Sequence, residues 1–578
     1  MPRINLRNCW TCRLRHKKCD EAQPTCRTCA DLEITCYYSE APPEWMDDGS
    51  RQEAMVEQLK AEVKTKAHQR RGRKALQRIG ADLHCASGPV NSICGSSPPP
   101  NNPLGPNERP RTSSQQCSIP ASEPSLIPPE PSTLLPLPKT TDSDVGLVIA
   151  YLDYVVPLLF PFYQPPISAG GRAWLLAEIV RSDAFRLHTN ALTSHLLSVI
   201  PSRPEIMMPC FQLYSLENTQ SQRSMAVEHL QDELEDLKRR GAHDNLRRST
   251  SAINSITRLI DIERVLAKED VWQVHLRAVL GVLDDILRQP ARFEVSTWLM
   301  VLGQLSQPPH STEHQTWSAP RASFRFSAAN LVVCDILAST SLEQPPVLIN
   351  HYRNLLHHDD RSNADTSTLQ LSDINGCQNW AMQLLGETAA LDAWKKEQRR
   401  ASGAPYAEAL HRRGAGIQAR LQDGLARLVQ SPEECGGVMA LDTVTARPAP
   451  LGSLVTRLWA HASLVYLHVV LHGWQPFKGE IRRAVSQGID ILDELSPTIA
   501  HLRTQAWPIC VVGCLATEQQ KAVLRRLWDK LGPLSGFGSI SIVMEILQRV
   551  WSTRPLYDLD RWDISACLNV LGRKVLLI

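Results

Sequence analysis

Six cysteines, Cys9, Cys12, Cys19, Cys26, Cys29 and Cys36, constrain this chain more tightly than any other feature. They form two matching halves, each a Cys-x2-Cys pair followed after six residues by a third cysteine. The segment holding them is poor in large apolar residues and cannot fold on a hydrophobic core alone. Cysteines two residues apart bring both sulfurs to one side of a turn, where they can hold a tetrahedral metal. Zinc closes its structural sites with four such thiolates. Six thiolates fall short of two separate four-sulfur sites, so two metals sharing two bridging sulfurs resolve the count. Metal binding then supplies the folding energy itself. The competing readings, a chance cluster or a redox dithiol pair, leave the symmetry of the pattern without a reason.

Between Cys12 and Cys19 runs Arg13-Leu14-Arg15-His16-Lys17-Lys18, which a rigid metal core can hold as a short helix with its basic side chains outward. The charge balance agrees. Residues 1–80 carry 16 Lys/Arg against 11 Asp/Glu, whereas the whole chain is only +2, so affinity for a polyanion belongs at this end.

This spacing, with the basic run inside it, resembles the binuclear zinc cluster of fungal transcription factors, and Pro24 matches the usual proline of the loop between the halves. The resemblance implies two zinc ions as cofactor, with Cys9 and Cys26 bridging them. Cys12 and Cys19 would complete one site, and Cys29 and Cys36 the other. It also implies double-stranded DNA as partner, with Arg13, Arg15, His16, Lys17 and Lys18 at the major groove, where base edges display a pattern specific to each pair. Arg3, Arg7, Arg13 and Arg27 suit phosphate contacts. His16 stands where the family most often carries a base-reading lysine, and a neutral imidazole donates only one hydrogen bond. Which of His16, Lys17 and Lys18 reads bases is therefore open, and so is the motif. The implied function is sequence-specific regulation of RNA polymerase II genes in the nucleus, with a metabolic or secondary-metabolite pathway as the target class. A zinc-cluster scaffold that binds protein instead of DNA is the rival.

The expected fold is mostly α: a two-zinc DNA-binding module over 1–40, a basic helical linker over 41–80, a disordered Pro/Ser-rich linker over 81–142 and a large all-α regulatory domain over 143–578. Residues 81–142 contain no Phe, Trp or Tyr and cannot bury enough apolar surface to offset chain entropy. Their Cys85, Cys94 and Cys117 read as plain exposed thiols. Met55, Leu59 and Val63 make one short stripe on a helix over 53–66, more simply a helix leaning on a neighbour than a coiled coil. Lys64, Lys66, Arg70, Arg71, Arg73 and Lys74 form a basic run fit for nuclear import or phosphate contact.

Beyond 143, helical periodicity recurs, as in Trp272, Leu276, Val279, Leu280, Leu283, Ile286 and Leu287, or Val543, Ile546, Leu547, Val550 and Trp551. Stretches such as "YLDYVVPLLFPFYQPP" and "AWPICVVGCLATEQQ" resemble the fungal-specific regulatory domain that follows many zinc clusters. That likeness implies contacts with transcription machinery or co-regulators and an unknown small-molecule effector. A single module touches few base pairs, which together with the helix over 53–66 points to a homodimer. No uninterrupted apolar run reaches membrane-spanning length, so no membrane partner is expected. No catalytic set emerges. His468 and His472 have the spacing of a helical zinc protease but lack its glutamate and read as packing residues. His357, His358, Asp359 and Asp360 read as a solvated loop, and Cys510 and Cys514 as small buried apolar groups.

Overall fold

The computed structural model describes residues 8–66, 142–199 and 246–578, apart from short breaks of which 307–317, 357–367 and 431–448 are the longest. Arg3, Arg7, Pro24, most of the basic run 64–74, the 81–142 linker with its cysteines, and His357 to Asp360 lie outside the described residues. Every regular element among the described residues is a helix.

The N-terminal module holds α1 (Trp10–Leu14), α2 (Arg27–Ala30) and α3 (50–60). Helices as short as α1 and α2 do not persist in water, because the nucleation cost outweighs so few hydrogen bonds. Each is capped by a cysteine. Cys9 Sγ accepts the Cys12 N–H at 3.2 Å, and Cys26 Sγ accepts the Cys29 N–H at 3.4 Å. The halves repeat in backbone detail. Lys17 N–H donates to the Cys12 carbonyl at 2.9 Å, and Ile34 N–H to the Cys29 carbonyl at 3.1 Å. His16 (φ 51°) and Glu33 (φ 55°) take the left-handed conformation at matching positions. Among the bonds that join the halves are Arg27 N–H to Asp20 Oδ1 at 2.8 Å and Thr28 Oγ1 to the Lys18 carbonyl at 3.0 Å. Thr11 Oγ1 ties α1 to the closing segment, donating to the Thr35 carbonyl and accepting the Tyr37 N–H, both at 2.9 Å.

The helical domain opens with α4 (Asp142–Ala150), a π turn (Tyr151–Val155) and α5 (Val156–Leu159). It continues through α6 (Ala173–Arg181), α7 (Asp183–Val199), α8 (Leu246–Leu266), α9 (Trp272–Leu287), α10 (Thr297–Ser306) and α11 (Ala319–Leu342). After the short α12 (Tyr352–Leu356) and α13 (Ser372–Asn375) come α14 (Asn379–Ala401), α15 (Ala407–Gln430), α16 (Ala449–His472) and α17 (Gly479–Leu495). Last are α18 (Ile499–Arg503), α19 (Ala506–Cys514), α20 (Glu518–Leu531), α21 (Ser539–Thr553) and α22 (Ile564–Leu568).

Two helices organise this domain. α11 packs against α6, α8, α9, α10 and α14, and α16 against α14, α15, α17 and α19. Both are long and apolar enough to cross a membrane by length and composition alone, yet 89% of each apolar window is buried inside the fold. A helix apolar on all sides is a core helix when others surround it. The amphipathic faces expected from periodicity, such as Leu276, Val279, Leu283 and Ile286 on α9, are buried in the same continuous core. Glycine lets α15 settle closely: a Cβ at Gly414 would strike Leu471, and one at Gly424 would strike Trp380.

Candidate metal centre and nucleic-acid interface

Capping by Cys9 and Cys26 aims both sulfurs at the centre of the module. Their Sγ atoms lie 3.7 Å apart, with Cys9–Cys29 at 3.8 Å and Cys12–Cys26 at 3.6 Å. Zinc–thiolate bonds of about 2.3 Å in tetrahedral array place sulfurs about 3.8 Å apart, so these separations fit a zinc site. Two sets of four sulfurs are each gathered within 4.8 Å: Cys9, Cys12, Cys19 and Cys26, and Cys9, Cys26, Cys29 and Cys36. Cys9 and Cys26 belong to both. Five of the six thiols are buried, and Cys36 is half-buried.

Burial makes three of these thiols hold their protons tightly. Burial pushes the Cys9 and Cys29 thiols far up, and Cys12 to about 11. At Cys26, burial also opposes ionisation, but the backbone N–H of Cys29 and the thiols of Cys29, Cys12 and Cys9 outweigh it and lower the group to about 7. Without a metal, the buried Cys9, Cys12 and Cys29 thiols therefore carry little of the charge that zinc requires. A divalent ion held there would displace these protons and stabilise the thiolates together.

The basic segment faces the other way. Arg13, His16, Lys17 and Lys18 are exposed, while Leu14 is buried beneath them. Arg13 lies over the Trp10 ring at 5.1 Å, which restricts its swing. Arg15 differs: it is half-buried, and its Nη1 is covered with no hydrogen-bond partner. Arg27, on α2, is exposed. Sequence reasoning had no signal for the left-handed turn at His16, which ends α1 and sends Lys17 and Lys18 off in a new direction.

The chain matches the fungal Zn(2)-Cys(6) binuclear cluster domain over residues 7–44 and the fungal specific transcription factor domain over 147–578. It belongs to the fungal zinc-cluster transcription factors. The family domain binds two zinc ions, and the two quartets sharing a pair of sulfurs provide for them. Among similar family members, transcription factor dibT of Pestalotiopsis microspora is 32% identical, covering 99% of this chain and 98% of its own. Pestheic acid cluster transcriptional regulator 3 of Pestalotiopsis fici is 26% identical over 96% of each chain. The ustiloxin B cluster transcription factor ustR of Aspergillus flavus is 24% identical over 90% of this chain and 89% of its own. No solved structure matches the chain.

The other metal-like motif of this family member is a stack of histidine rings rather than a gathered ligand set. His468 and His472 stack at 6.0 Å between ring centroids, 16° from parallel, and His411 lies 5.5 Å from His472. Among the described residues only the cysteine quartets gather metal-ligand atoms. Cys510 and Cys514 are buried, as expected of small apolar groups.

Proposed function

We propose that this zinc-cluster factor is a nuclear, sequence-specific DNA-binding regulator of RNA polymerase II genes belonging to one secondary-metabolite cluster. The observation that carries the reading is the pair of sulfur quartets sharing Cys9 and Cys26, with an exposed cationic turn mounted on them. Cys9 and Cys26 would bridge two zinc ions, with Cys12 and Cys19 completing one site and Cys29 and Cys36 the other. Lys17, Lys18 and His16 face base edges, whereas Arg13, anchored on Trp10, and the accessible part of Arg15 hold phosphates. The target class rests on similar regulators being named for the pestheic acid and ustiloxin B clusters. The 81–142 segment tethers the module, and the helical domain carries regulation by co-regulators and a small-molecule effector. No catalytic role is assigned to it.

A single module reads few base pairs, so two copies act at one site. The stripe on α3 is not what joins them, since Leu59 is buried in its own chain. Sedimentation of the saturated DNA complex measures the copy number, and one chain per site removes the dimer.

Selection from random duplexes should enrich a single motif with the wild-type protein. No enrichment would favour the protein-binding scaffold instead. Cys26→Ala removes a ligand of both metals, so it should lose zinc from the module and abolish binding to the selected duplex in a fluorescence anisotropy titration. Retained zinc and retained binding would overturn the ligand assignment.

A further inference from the structure

Between α15, α16 and α17 lies a cavity of about 320 Å³, at the lower end of the size range of small-molecule sites. Its floor is one face of α16, where His461, Leu464 and His468 follow each other at helical spacing. Leu425 and Val429 of α15 form an apolar wall. Both histidines are more than nine-tenths buried, at 7% and 4% exposure, and both keep a covered Nδ1 without a hydrogen-bond partner. The polar edge left to each ring is Nε2. With Nδ1 covered, Nε2 is the edge that each ring can offer to a guest in the cavity.

The charges select the guest. Arg457 on the floor helix and Arg483 on α17 line the cavity, and neither is ion-paired among the described residues. Glu480 is the single carboxylate in the lining; it is exposed and takes its own backbone N–H at the start of α17. Burial keeps His461 and His468 down at about 4, helped by Arg457 and His472 respectively, so both rings are neutral near pH 7 and add no charge. Lys478 lies close by as a further cation. A cation is repelled here, whereas an anion meets two guanidinium groups at the wall and two imidazole donors on the floor.

We propose that this cavity binds a small organic acid, a carboxylate carried on an apolar body of about the size of a fused ring pair. Arg457 and Arg483 hold the carboxylate, His461 and His468 donate from Nε2, and Leu425, Val429 and Leu464 cover the apolar part. The site gives a place and a chemistry to the effector of the regulatory reading. It rests on that reading only for the consequence of binding.

The test is a calorimetric titration of the full-length, zinc-loaded protein with 2-naphthoate, using 2-naphthamide as the neutral isostere. One site is expected, with the amide about tenfold weaker or worse, a difference of about 1.4 kcal/mol. The Arg457→Gln/Arg483→Gln double variant should weaken the acid by about tenfold or more and leave the amide unchanged. Val429 is 74% exposed, so Val429→Glu leaves the fold intact while setting a negative charge at the rim, and it should also lose the acid. Equal affinity for acid and amide, no binding of the acid, or full acid affinity in the variants would overturn the site. No DNA enters this titration, so its failure leaves the zinc module's DNA binding standing. A failed duplex selection likewise leaves the cavity untouched.

Discussion

At His16 the backbone runs in the left-handed region, which costs an ordinary residue about 1–2 kcal/mol and is least unfavourable for Gly, Asn, Asp and His. The position therefore serves two ends: it ends α1 and it holds a side chain facing outward. His16→Gly should keep the zinc-loaded module near wild-type stability, and His16→Val should cost about 1–2 kcal/mol, read as the chelator concentration at which zinc is lost. His16→Lys should keep the metal and shift the motif recovered from random duplexes. An unchanged motif would take His16 out of base reading. At the other end of the chain, His461 and His468 are held below their ordinary 6.5 by burial, so each binds protons less readily folded than unfolded. The stability they contribute is complete above about pH 6.5 and is lost as the pH falls toward about 4. Urea unfolding across that window should show a flatter pH dependence for His461→Gln/His468→Gln than for the wild type.

Among the elements, α3 is the one whose role the fold redefines. Val63, just beyond it, packs against the cysteine cluster, and Leu59 is 2% exposed. The Glu62 carboxylate accepts the Thr35 N–H at 2.9 Å and the Thr35 hydroxyl at 3.0 Å. The helix thus braces the segment between Ile34 and Tyr37 that Thr11 holds from the other side. The folding unit extends past the matched residues 7–44. Leu59→Ala, a buried large-to-small change worth about 2–5 kcal/mol, should speed zinc release to a chelator severalfold. Release at the wild-type rate would mean that α3 is no brace. The stripe at Met55, Leu59 and Val63 was legible as a helix against a neighbour, but nothing in it names the neighbour. That depends on Glu62 meeting Thr35, a contact across 27 residues.

For the whole molecule, a half-buried ion-pair network around the buried Asp392 fixes how distant helices meet. Lys396 on α14 reaches Asp392 at 3.0 Å, Asp563 at 2.8 Å and Ser565 Oγ at 2.8 Å, joining α14 to the start of α22. Asp392 also accepts the Tyr466 hydroxyl at 3.1 Å, which brings in α16. Lys396→Met would leave a buried carboxylate without its cation, so thermal unfolding should show a loss of about 3–5 kcal/mol. A loss below about 1 kcal/mol would place this network at the surface in energetic terms.

The amino-acid order alone determined the metal module, its six thiols and its cationic segment, because ligand chemistry is local: two cysteines per turn and their spacing decide what they can hold. It also determined a helical second domain, since amphipathic faces such as that of α9 declare themselves by period. It did not single out α11 and α16 as the central helices. Their apolar residues run all round, so periodicity is silent about them, and only enclosure by neighbours makes them core rather than membrane. The tertiary structure alone decided that His461 and His468, seven residues apart on one helix, share a floor with arginines from α16 and α17. Such a site is made by helices meeting, and the energy that brings them together is spread over the whole core.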